Sequence, residues 1–347
     1  MLYVTTRNHR DSYTAQRALT EQRGPDGGLY IPFRVNPFSH EEIAGLSGLT
    51  FNQCLAKLLN LLFHTRLRET DLDYCVGRHP VQLVPMSHRI MIGECWHSSG
   101  REFLRMVRSL SGIIRADANA SAQPGAWLET GVRIGVLFGI YGELLRSGAI
   151  APGAAMDVSV VSGGFSAPMS AWYARSWGLP IGNIVCCCNE NSAVWELIYH
   201  GQLRTDGISV CTATPEADIT LPEGLECLIS SACGEAEALR FVDSCRIGKV
   251  YAPPETVLRK LREGIQVSVV SGERMVSTIP SVYATNSYLL SPYAALSYAG
   301  LLDYRVRTGE TSCALVLAER NPLCDADTVA GAMKMTAGEI SGLSRKQ

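Results

Sequence analysis

The chain has 347 residues, of which 46% are hydrophobic, and a formal net charge of −2. This length and composition allow a large buried core and favour two domains. The arginines are dispersed and form no basic face, which argues against a nucleic-acid partner. The opening segment MLYVTTRNHRDSYTAQ has no apolar stretch of the secretory type, and no apolar run in the chain is long enough to cross a bilayer. We therefore expect a cytoplasmic protein with no membrane partner.

The twelve cysteines are expected to be reduced thiols in that compartment. Cys186, Cys187 and Cys188 are consecutive in an apolar run. Neighbours in a strand point to opposite faces, so these three thiols cannot converge on one metal ion. Two close Cys/His pairs lack the second ligand pair of a zinc site; they are Cys75 with His79 and Cys95 with His97. We expect no metal site and mainly buried, structural cysteines.

The first half of the chain is predicted to be mainly helical. Residues 25–32 (PDGGLYIP) form a turn followed by a short strand. Apolar residues at helical spacing predict helices over residues 53–63 and 103–114. A third helix is predicted from about residue 132 to residue 146, and Gly148 closes it. The connection between the last two helices, about sixteen residues, is expected to be an exposed loop.

Strands and helices alternate from residue 157 onwards. A β-branched run at 157–161 is followed by a glycine-containing turn, a helix at 167–177 and a strand at 181–188. This order is typical of a βαβ unit, whose parallel strands are joined by a right-handed crossover. The same patterns predict strands at 249–251, 266–270 and 313–317 and helices at 235–245, 254–263, 292–304 and 325–337. The fold class is therefore α/β.

The turn of the βαβ unit is a candidate anion site. It consists of Ser162, Gly163, Gly164, Phe165 and Ser166 and is called the glycine turn below. Two glycines between a strand and a helix let backbone N–H groups approach an anion, and the helix dipole favours negative charge there. The turn matches neither GxGxxG nor the P-loop pattern, so it indicates neither a dinucleotide nor a nucleoside triphosphate. A turn that uses glycine only for its backbone geometry is the alternative.

Six segments resemble, in order along the chain, those of one enzyme family. They are MLYVTTRN at the start, residues 13–32 with PDGGLYIP, residues 160–180 with the glycine turn, NENSAVWELIYHGQL at 189–203, TPEADITLPEGLECL at 214–228, and SPYAALSYAG at 291–300. The family is threonine synthase, a pyridoxal-phosphate (PLP) enzyme of fold type II. In that family the segment that residues 160–180 resemble holds the cofactor phosphate, and a histidine stands at the position of Tyr293.

The resemblance implies a three-layer α/β fold with mostly parallel strands, the large domain of the fold type II PLP enzymes. After the helix at 103–114 the family continues into a small domain that closes over the cofactor, but this chain runs directly into the next helix. The small domain, roughly 100 residues by ordinary domain size, is therefore expected to be largely deleted. We divide the chain into an N-terminal region (1–100), a junction (101–130) and a large α/β domain (131–347).

The resemblance breaks at the residue that carries the family's chemistry. Threonine synthases use a lysine to form an imine with PLP, in a motif whose start resembles ECWH at 94–97. In the continuation, GREF at 100–103, Arg101 stands at the expected lysine position. A guanidinium stays protonated and cannot form that imine. The chain has only five lysines, and none stands there; they are Lys57, Lys249, Lys260, Lys334 and Lys346.

We therefore predict a threonine-synthase-like pseudoenzyme with no covalent PLP and no other cofactor. The glycine turn predicts a small phosphorylated or anionic ligand, with a protein partner as the other candidate. His97 and Arg101 are the candidate pocket residues beside the turn, each weighed against an ordinary packed or solvated side chain. The alternative is a PLP-independent lyase that acts on an amino-acid-like phospho-substrate through His97, Arg101 and the serines. An active threonine synthase, which converts O-phosphohomoserine to threonine by phosphate elimination and addition of water, is the least favoured reading.

Deletion of a domain is expected to uncover part of the large domain. We expect the uncovered apolar face near the segment SAQPGAW at 121–127. Apolar faces of this kind are usually covered by another chain. The sequence therefore predicts a homodimer.

Overall fold

Two β-sheets form the framework of the computed structural model, which describes residues 1–118, 126–204, 206–246, 248 and 250–344. The strands of the small antiparallel sheet are β1 (Leu2–Thr5), β2 (Asn8–Thr14) and β3 (Tyr30–Pro32), and β1 lies in the middle. The strands of the large sheet are β4 (Gln82–Met86), β5 (Ile90–Glu94), β6 (Met156–Val161), β7 (Ile181–Cys188), β8 (Ile265–Val269) and β9 (Ala314–Ala318).

The large sheet has the order β4-β5-β9-β6-β7-β8. Its edge strand β4 is antiparallel to β5, and all the other pairs are parallel, as predicted. The five parallel strands therefore end at one edge of the sheet, which we call the carboxyl edge. The last strand, β9, is inserted between β5 and β6, so the direction in which successive strands are added changes here. Open α/β sheets bind ligands at such a point, outside the carboxyl ends of the strands.

Helices cover both faces of the large sheet, which gives the predicted three layers. In chain order the helices are α1 (Ala15–Thr20), α2 (His40–Ala44), α3 (Phe51–Phe63), α4 (Glu69–Val76), α5 (Phe103–Asp117), α6 (Ala126–Arg146), α7 (Ser166–Ser176), α8 (Ala193–Trp195), α9 (Gly224–Cys233), α10 (Glu235–Arg246), α11 (Glu255–Arg262), α12 (Gly272–Asn286), α13 (Pro292–Thr308), α14 (Ala326–Met333) and α15 (Ala337–Ser344). Helices α12, α13 and α14 pack in the core of one face, and α3, α5, α6 and α7 pack in the core of the other. None of the helices in the described ranges is both long and apolar enough to cross a membrane.

The three consecutive cysteines of β7 point to alternate faces of the sheet. Cys186 and Cys188 belong to the core on the α6 face, and Cys187 belongs to the core on the α13 face. All three are fully buried. The alternation follows from the period of a strand, as the sequence indicated.

Helix α6 packs closely along α3 through a row of glycines. The row is spaced four residues apart, on one face of the helix, and consists of Gly131, Gly135 and Gly139. A Cβ added at Gly139 would lie 2.8 Å from the ring of Phe51, and one added at Gly135 would lie 2.6 Å from Leu55. Real Cβ atoms do not approach other atoms this closely, so the absence of side chains here sets the distance between the two helices. This packing fixes the start of α6, which reaches the carboxyl edge of the large sheet.

Several predicted elements differ from the observed ones. Helix α6 begins at Ala126 rather than near residue 132, and Trp127 anchors its first turn because the indole Nε1 donates to the Tyr3 hydroxyl (2.8 Å). Only residues 118–125 therefore separate α5 from α6, and the expected exposed loop falls largely on residues 119–125, outside the described residues. The predicted strand at 249–251 is a single bridge from Tyr251 to Leu203, with residue 249 outside the described part of the chain.

Another difference is the end of the helix predicted at 325–337. It stops at Met333 because Lys334 adopts a left-handed backbone. The division into 1–100, 101–130 and 131–347 and the homodimer stay predictions.

Candidate functional site

A cavity of about 200 Å³ opens at the carboxyl edge, between the ends of β6 and β9. Its apolar floor includes Val160, Val161 and Leu317 from these two strands. Its walls come from the start of α5, from α6 and α13, from the glycine turn, and from the segments after β7 and β9. The wall residues include Glu102, Phe103, Glu129, Arg133, Ser162, Gly163, Gly164, Ser166, Glu216, Tyr293, Glu319 and Arg320. The cavity therefore lies where the sheet topology places ligands.

The glycine turn connects β6 to α7 and is held firmly. Phe165 has a left-handed backbone (φ 71°), and its N–H donates to the Ser162 carbonyl (2.7 Å). Gly224, which starts α9, donates its N–H to the Gly164 carbonyl (3.0 Å). Four N–H groups at this end of α7 donate to no acceptor among the described residues. They belong to Gly163, Gly164, Ser166 and Ala167. Such N–H groups at the start of a helix favour negative charge.

Arg133 is the most buried charged group of the cavity, with a side chain only 2% exposed. Its Nε and Nη2 donate to the two carboxylate oxygens of Glu319 (2.5 and 3.0 Å), and Nη2 also donates to Glu129 (2.7 Å). The guanidinium lies over the ring of Phe103, 4.7 Å from its centroid. Burial disfavours the charge, but the attraction of Glu319 and Glu129 outweighs burial and raises the pKa of Arg133. The guanidinium is therefore clamped between two carboxylates.

Glu129 places one of these carboxylates beside the glycine turn. It lies one helical turn before Arg133 in α6, and its Oε1 accepts a hydrogen bond from the Ser166 hydroxyl (3.0 Å). Arg133 Nη1 lies 3.4 Å from the same hydroxyl. Burial tends to raise the pKa of Glu129, but the charge of Arg133 and the hydrogen bonds from Arg133 and Ser166 lower it. The first residue of α7 is thus already bonded to a carboxylate of the protein itself.

Arg320 forms a second ion cluster on the more exposed side of the cavity. Its Nε donates to Asp325 (2.9 Å), and its Nη1 donates to Glu216 (2.6 Å). The guanidinium lies over the ring of Tyr293, 5.4 Å from the centroid, and the Tyr293 hydroxyl accepts a hydrogen bond from the Glu216 N–H (3.2 Å). Burial raises the pKa of Tyr293 to about 12. The hydroxyl therefore stays protonated at neutral pH, and the Arg320 charge is paired with the carboxylates of Glu216 and Asp325.

The lining of the cavity carries more negative than positive charge. Its four carboxylates belong to Glu102, Glu129, Glu216 and Glu319, and its two guanidinium groups belong to Arg133 and Arg320. The Glu102 carboxylate has only long ionic contacts, 3.7 Å to Arg108 and 3.9 Å to Arg320. Both arginines bond to carboxylates of the protein, so neither presents a free charge to an incoming anion.

The structure does not bring Arg101 to the glycine turn. Arg101 is exposed, it does not line the cavity, and its side chain forms no ion pair with a described residue. Its carbonyl accepts a hydrogen bond from the Asn321 N–H (2.7 Å), while Phe103 donates its N–H to the Glu319 carbonyl (2.7 Å). These two bonds attach the chain to the segment after β9 and leave Arg101 on the surface. The expectation of a cation facing the turn is therefore corrected: that cation is Arg133.

His97 also lies outside the cavity lining, beside a different carboxylate. Its Nδ1 is 3.7 Å from Glu94, which ends β5, and its side chain is 40% exposed. The Tyr288 hydroxyl donates to Glu94 (2.6 Å). Burial raises the pKa of Glu94, although the bond from Tyr288 and the charge of His97 oppose the shift. His97 and Arg101 thus do not converge with the serines of the turn. Ser162 and Ser166, by contrast, line the cavity.

Glu129 and Arg133 were not predicted as site residues, although the sequence carries a signal for them. They are an oppositely charged pair four residues apart in a helix that has no other charged residue up to Tyr141. A charged pair on an apolar helix indicates a buried ion pair. Placing the helix start near residue 132 left Glu129 outside the helix and hid this spacing.

A second, smaller cavity of about 150 Å³ lies on the other side of Glu129. The two cavities share Glu129, Gly164 and Ser166, so these residues form the partition between them. Aromatic residues contribute to the walls of the second cavity; they are Tyr30, Trp127 and Tyr173. The Glu129 side chain therefore has space on both sides.

The N-terminal part of the chain matches a known family model. Residues 2–79 match the model described as threonine synthase N terminus. The relatives include Threonine synthase-like 1 of Pongo abelii, which is 26% identical over 183 residues, and Threonine synthase-like 2 of Homo sapiens, which is 25% identical over 197 residues. The N-terminal part of the chain is therefore similar in sequence to threonine synthases.

The similarity to these threonine synthase-like proteins is partial. It covers 51% of this chain and 24% of Threonine synthase-like 1 of Pongo abelii, and 55% of this chain and 40% of human Threonine synthase-like 2. The matched part of the chain thus spans 24% and 40% of the length of these two relatives.

Solved threonine synthases share the fold along almost the whole chain. The PLP-bound threonine synthase from Brucella melitensis superposes with a TM-score of 0.84 at 17% identity, over 99% of this chain and 94% of that one. The yeast threonine synthase superposes with a TM-score of 0.82 at 15% identity, over 96% of this chain and 90% of that one. The predicted resemblance to threonine synthases and the predicted fold class are confirmed.

Proposed function

We propose that this threonine-synthase-like chain is a pseudoenzyme that forms no imine with PLP. The observation that carries the proposal is the chemistry of the cavity lining, which contains Arg133 and Arg320 but no lysine. An imine requires a neutral amine that attacks the aldehyde, and a guanidinium remains protonated at all physiological pH values. The cation nearest the glycine turn therefore cannot perform the step that starts PLP chemistry.

The lysines of the described part of the chain lie away from the cavity lining. Lys57 is exposed on α3, with its Nζ 5.5 Å from the centroid of the Phe38 ring. Lys260 is exposed near the end of α11, and Lys334 ends α14. Residues 249 and 346 are outside the described residues. These positions support the proposal that the chain has no lysine for the cofactor.

The rest of the cavity also fits PLP poorly. A cofactor phosphate at the glycine turn would meet the Glu129 carboxylate, which already accepts the Ser166 hydroxyl. The surplus of lining carboxylates disfavours a further anion in a site partly shielded from water. We therefore propose no reaction step that involves PLP. An anionic ligand at the turn would require Glu129 to move away from it.

The PLP-independent lyase has no supporting observation. It requires His97, Arg101 and the serines of the glycine turn to act on one substrate. His97 is beside Glu94 and Arg101 is on the surface, whereas the serines line the cavity. General acid–base catalysis requires its groups within hydrogen-bonding reach of one substrate.

An activity assay tests the proposal. We expect the purified chain, incubated with PLP and O-phosphohomoserine, to release no more phosphate than a reaction without protein, because its cavity offers no amine for the imine. The Brucella melitensis threonine synthase, assayed in parallel, is the positive control. A PLP-dependent phosphate-releasing activity that co-purifies with the chain through two further chromatographic steps would refute the pseudoenzyme proposal.

A further inference from the structure

We infer that the smaller cavity beside Glu129 is a binding site for a small organic cation of the methylated-ammonium class. Three aromatic residues and one carboxylate of its lining, which we call the aromatic cage, are Tyr30, Trp127, Tyr173 and Glu129. Cations are attracted to the faces of aromatic rings, and aromatic cages recognise quaternary ammonium groups. The inference goes beyond the proposed function and does not depend on it, because the cage uses neither Arg101 nor a lysine.

The aromatic walls of the cage are held in place by bonds outside the cavity. The ring centroids of Trp127 and Tyr173 lie 5.1 Å apart with their planes at 87°, so the two rings form a corner. Trp127 Nε1 donates to the Tyr3 hydroxyl (2.8 Å). The Tyr173 hydroxyl forms a hydrogen bond with that of Ser231 (2.7 Å). Neither partner lines the cavity, so Trp127 and Tyr173 offer a ligand the carbon surfaces of their rings.

The lining of this cavity supplies negative charge and no positive charge. Its three carboxylates belong to Glu21, Glu129 and Glu223, and none of the described lysines, arginines and histidines lines it. Two of these carboxylates each have an arginine of their own outside the lining; the pairs are Arg17 with Glu21 and Arg23 with Glu223. The third carboxylate, that of Glu129, is the one that belongs to the cage.

Glu129 has to share its arginine. The Arg133 guanidinium bonds both Glu129 and Glu319, so one positive charge serves two carboxylates. The Glu129 side chain is 33% exposed and borders the cavity, whereas the Arg133 side chain is 2% exposed and does not line it. A single positive charge placed in the cavity would therefore balance the surplus, at a partly buried site where charges attract more strongly than in water.

The volume of the cavity suits a methylated ammonium group. It is about 150 Å³, and a cavity of that size holds a molecule as large as benzene. A trimethylammonium group is of similar size, and its methyl groups can contact the rings while its charge faces Glu129. A strongly hydrated metal ion would gain little from aromatic walls, since rings cannot replace its oxygen ligands. The lining therefore favours an organic cation.

Calorimetric titration of the full chain with choline tests this inference. The comparison ligand is 3,3-dimethyl-1-butanol, which has the same shape as choline but no charge. We expect choline to bind at least about tenfold more tightly than the alcohol, because only the cation is attracted to the rings and to the surplus carboxylate. Equal affinities, or no heat from choline at millimolar concentration, would overturn the inference. Tighter binding of ethylammonium than of choline would overturn the methylated class.

Glu129→Gln and Glu102→Gln form a matched pair of variants. Each removes one carboxylate charge, but Glu102 lines only the larger of the two cavities. We expect Glu129→Gln to bind choline about tenfold more weakly than the wild type and Glu102→Gln less than about threefold more weakly. Equal losses in the two variants would show that overall charge, and not the cage, attracts the cation.

Trp127→Leu tests the aromatic wall. We expect it to weaken choline binding by about fivefold or more. Its melting temperature shows whether the variant is folded, and unchanged choline affinity in a folded variant would contradict the cage. The comparison of choline with the alcohol uses the unaltered chain and stands without this variant. None of these measurements involves PLP, so a failure of the pseudoenzyme proposal would leave their outcomes unchanged.

Discussion

Replacing Arg133 by methionine should lower the free energy of unfolding by about 3 kcal/mol, the largest single-residue loss that we expect in the cavity. The change removes the guanidinium that lies between Glu129 and Glu319 and leaves two carboxylates close together without a counter-charge. Methionine preserves most of the packing against Phe103, so the loss reports mainly on charge. We place it at the low end for a broken buried pair because the two carboxylates are about one-third exposed. Urea-induced unfolding at neutral pH measures it.

Two controls separate this effect from a general loss of positive charge. Arg101→Met removes the same charge from an exposed side chain and should change stability by less than about 0.5 kcal/mol. Adding Glu129→Gln and Glu319→Gln to Arg133→Met should restore most of the lost stability, since no uncompensated charge is left. A loss below about 1 kcal/mol for Arg133→Met would show that the ion pairs of Arg133 contribute little to the free energy of unfolding.

Replacing Gly139 by valine should also lower the free energy of unfolding by about 3 kcal/mol, the upper end for an overpacked core. Even a single Cβ at Gly139 would lie 2.8 to 3.0 Å from three atoms of the Phe51 ring. A ring has no flexible end that can withdraw, so α6 must move away from α3. Because α6 carries Glu129 and Arg133, we expect the cavity to change as well. The measurement is the same unfolding titration.

Gly112 is a matched control for this substitution. It lies inside α5, and a Cβ added there meets nothing within 4 Å. Gly112→Val should therefore change stability by less than about 0.5 kcal/mol, since valine and glycine differ little as helix formers when no contact is involved. Similar losses at Gly112 and Gly139 would mean that helix propensity, and not the close approach of α3, explains the effect.

The βαβ unit around the glycine turn could be predicted to within about one residue from local signals. The signals are a β-branched run, a glycine turn, an amphipathic helix and a Gly-Leu-Pro stop, and each is contained in a few consecutive residues. The observed β6, α7 and β7 follow these signals. The strands β4 and β5 were not predicted. In β4, Pro85 argues against a strand, although proline is tolerated in an edge strand such as this one. Local patterns do not reveal which strand is at the edge.

The candidate site was predicted in part. The position of the glycine turn at the carboxyl edge follows from the order of the elements, and four of its five residues line the cavity. The role given to Arg101 failed because it depended on aligning a short segment next to a deletion, where the path of the chain is set by tertiary bonds such as that of Asn321 to the Arg101 carbonyl. Arg133 is far from Arg101 in sequence, and only the packing of α6 brings it to the turn.

Labelling with PLP tests the central claim most directly. The chain is mixed with one equivalent of PLP, treated with borohydride, and analysed by intact mass and peptide mapping, with the Brucella melitensis threonine synthase as the positive control. We predict no imine absorption band and no lysine carrying more than a small fraction of an equivalent of the reduced adduct. A band that borohydride makes permanent, with close to one equivalent on a single lysine, would contradict the claim that this chain has lost the family's PLP chemistry.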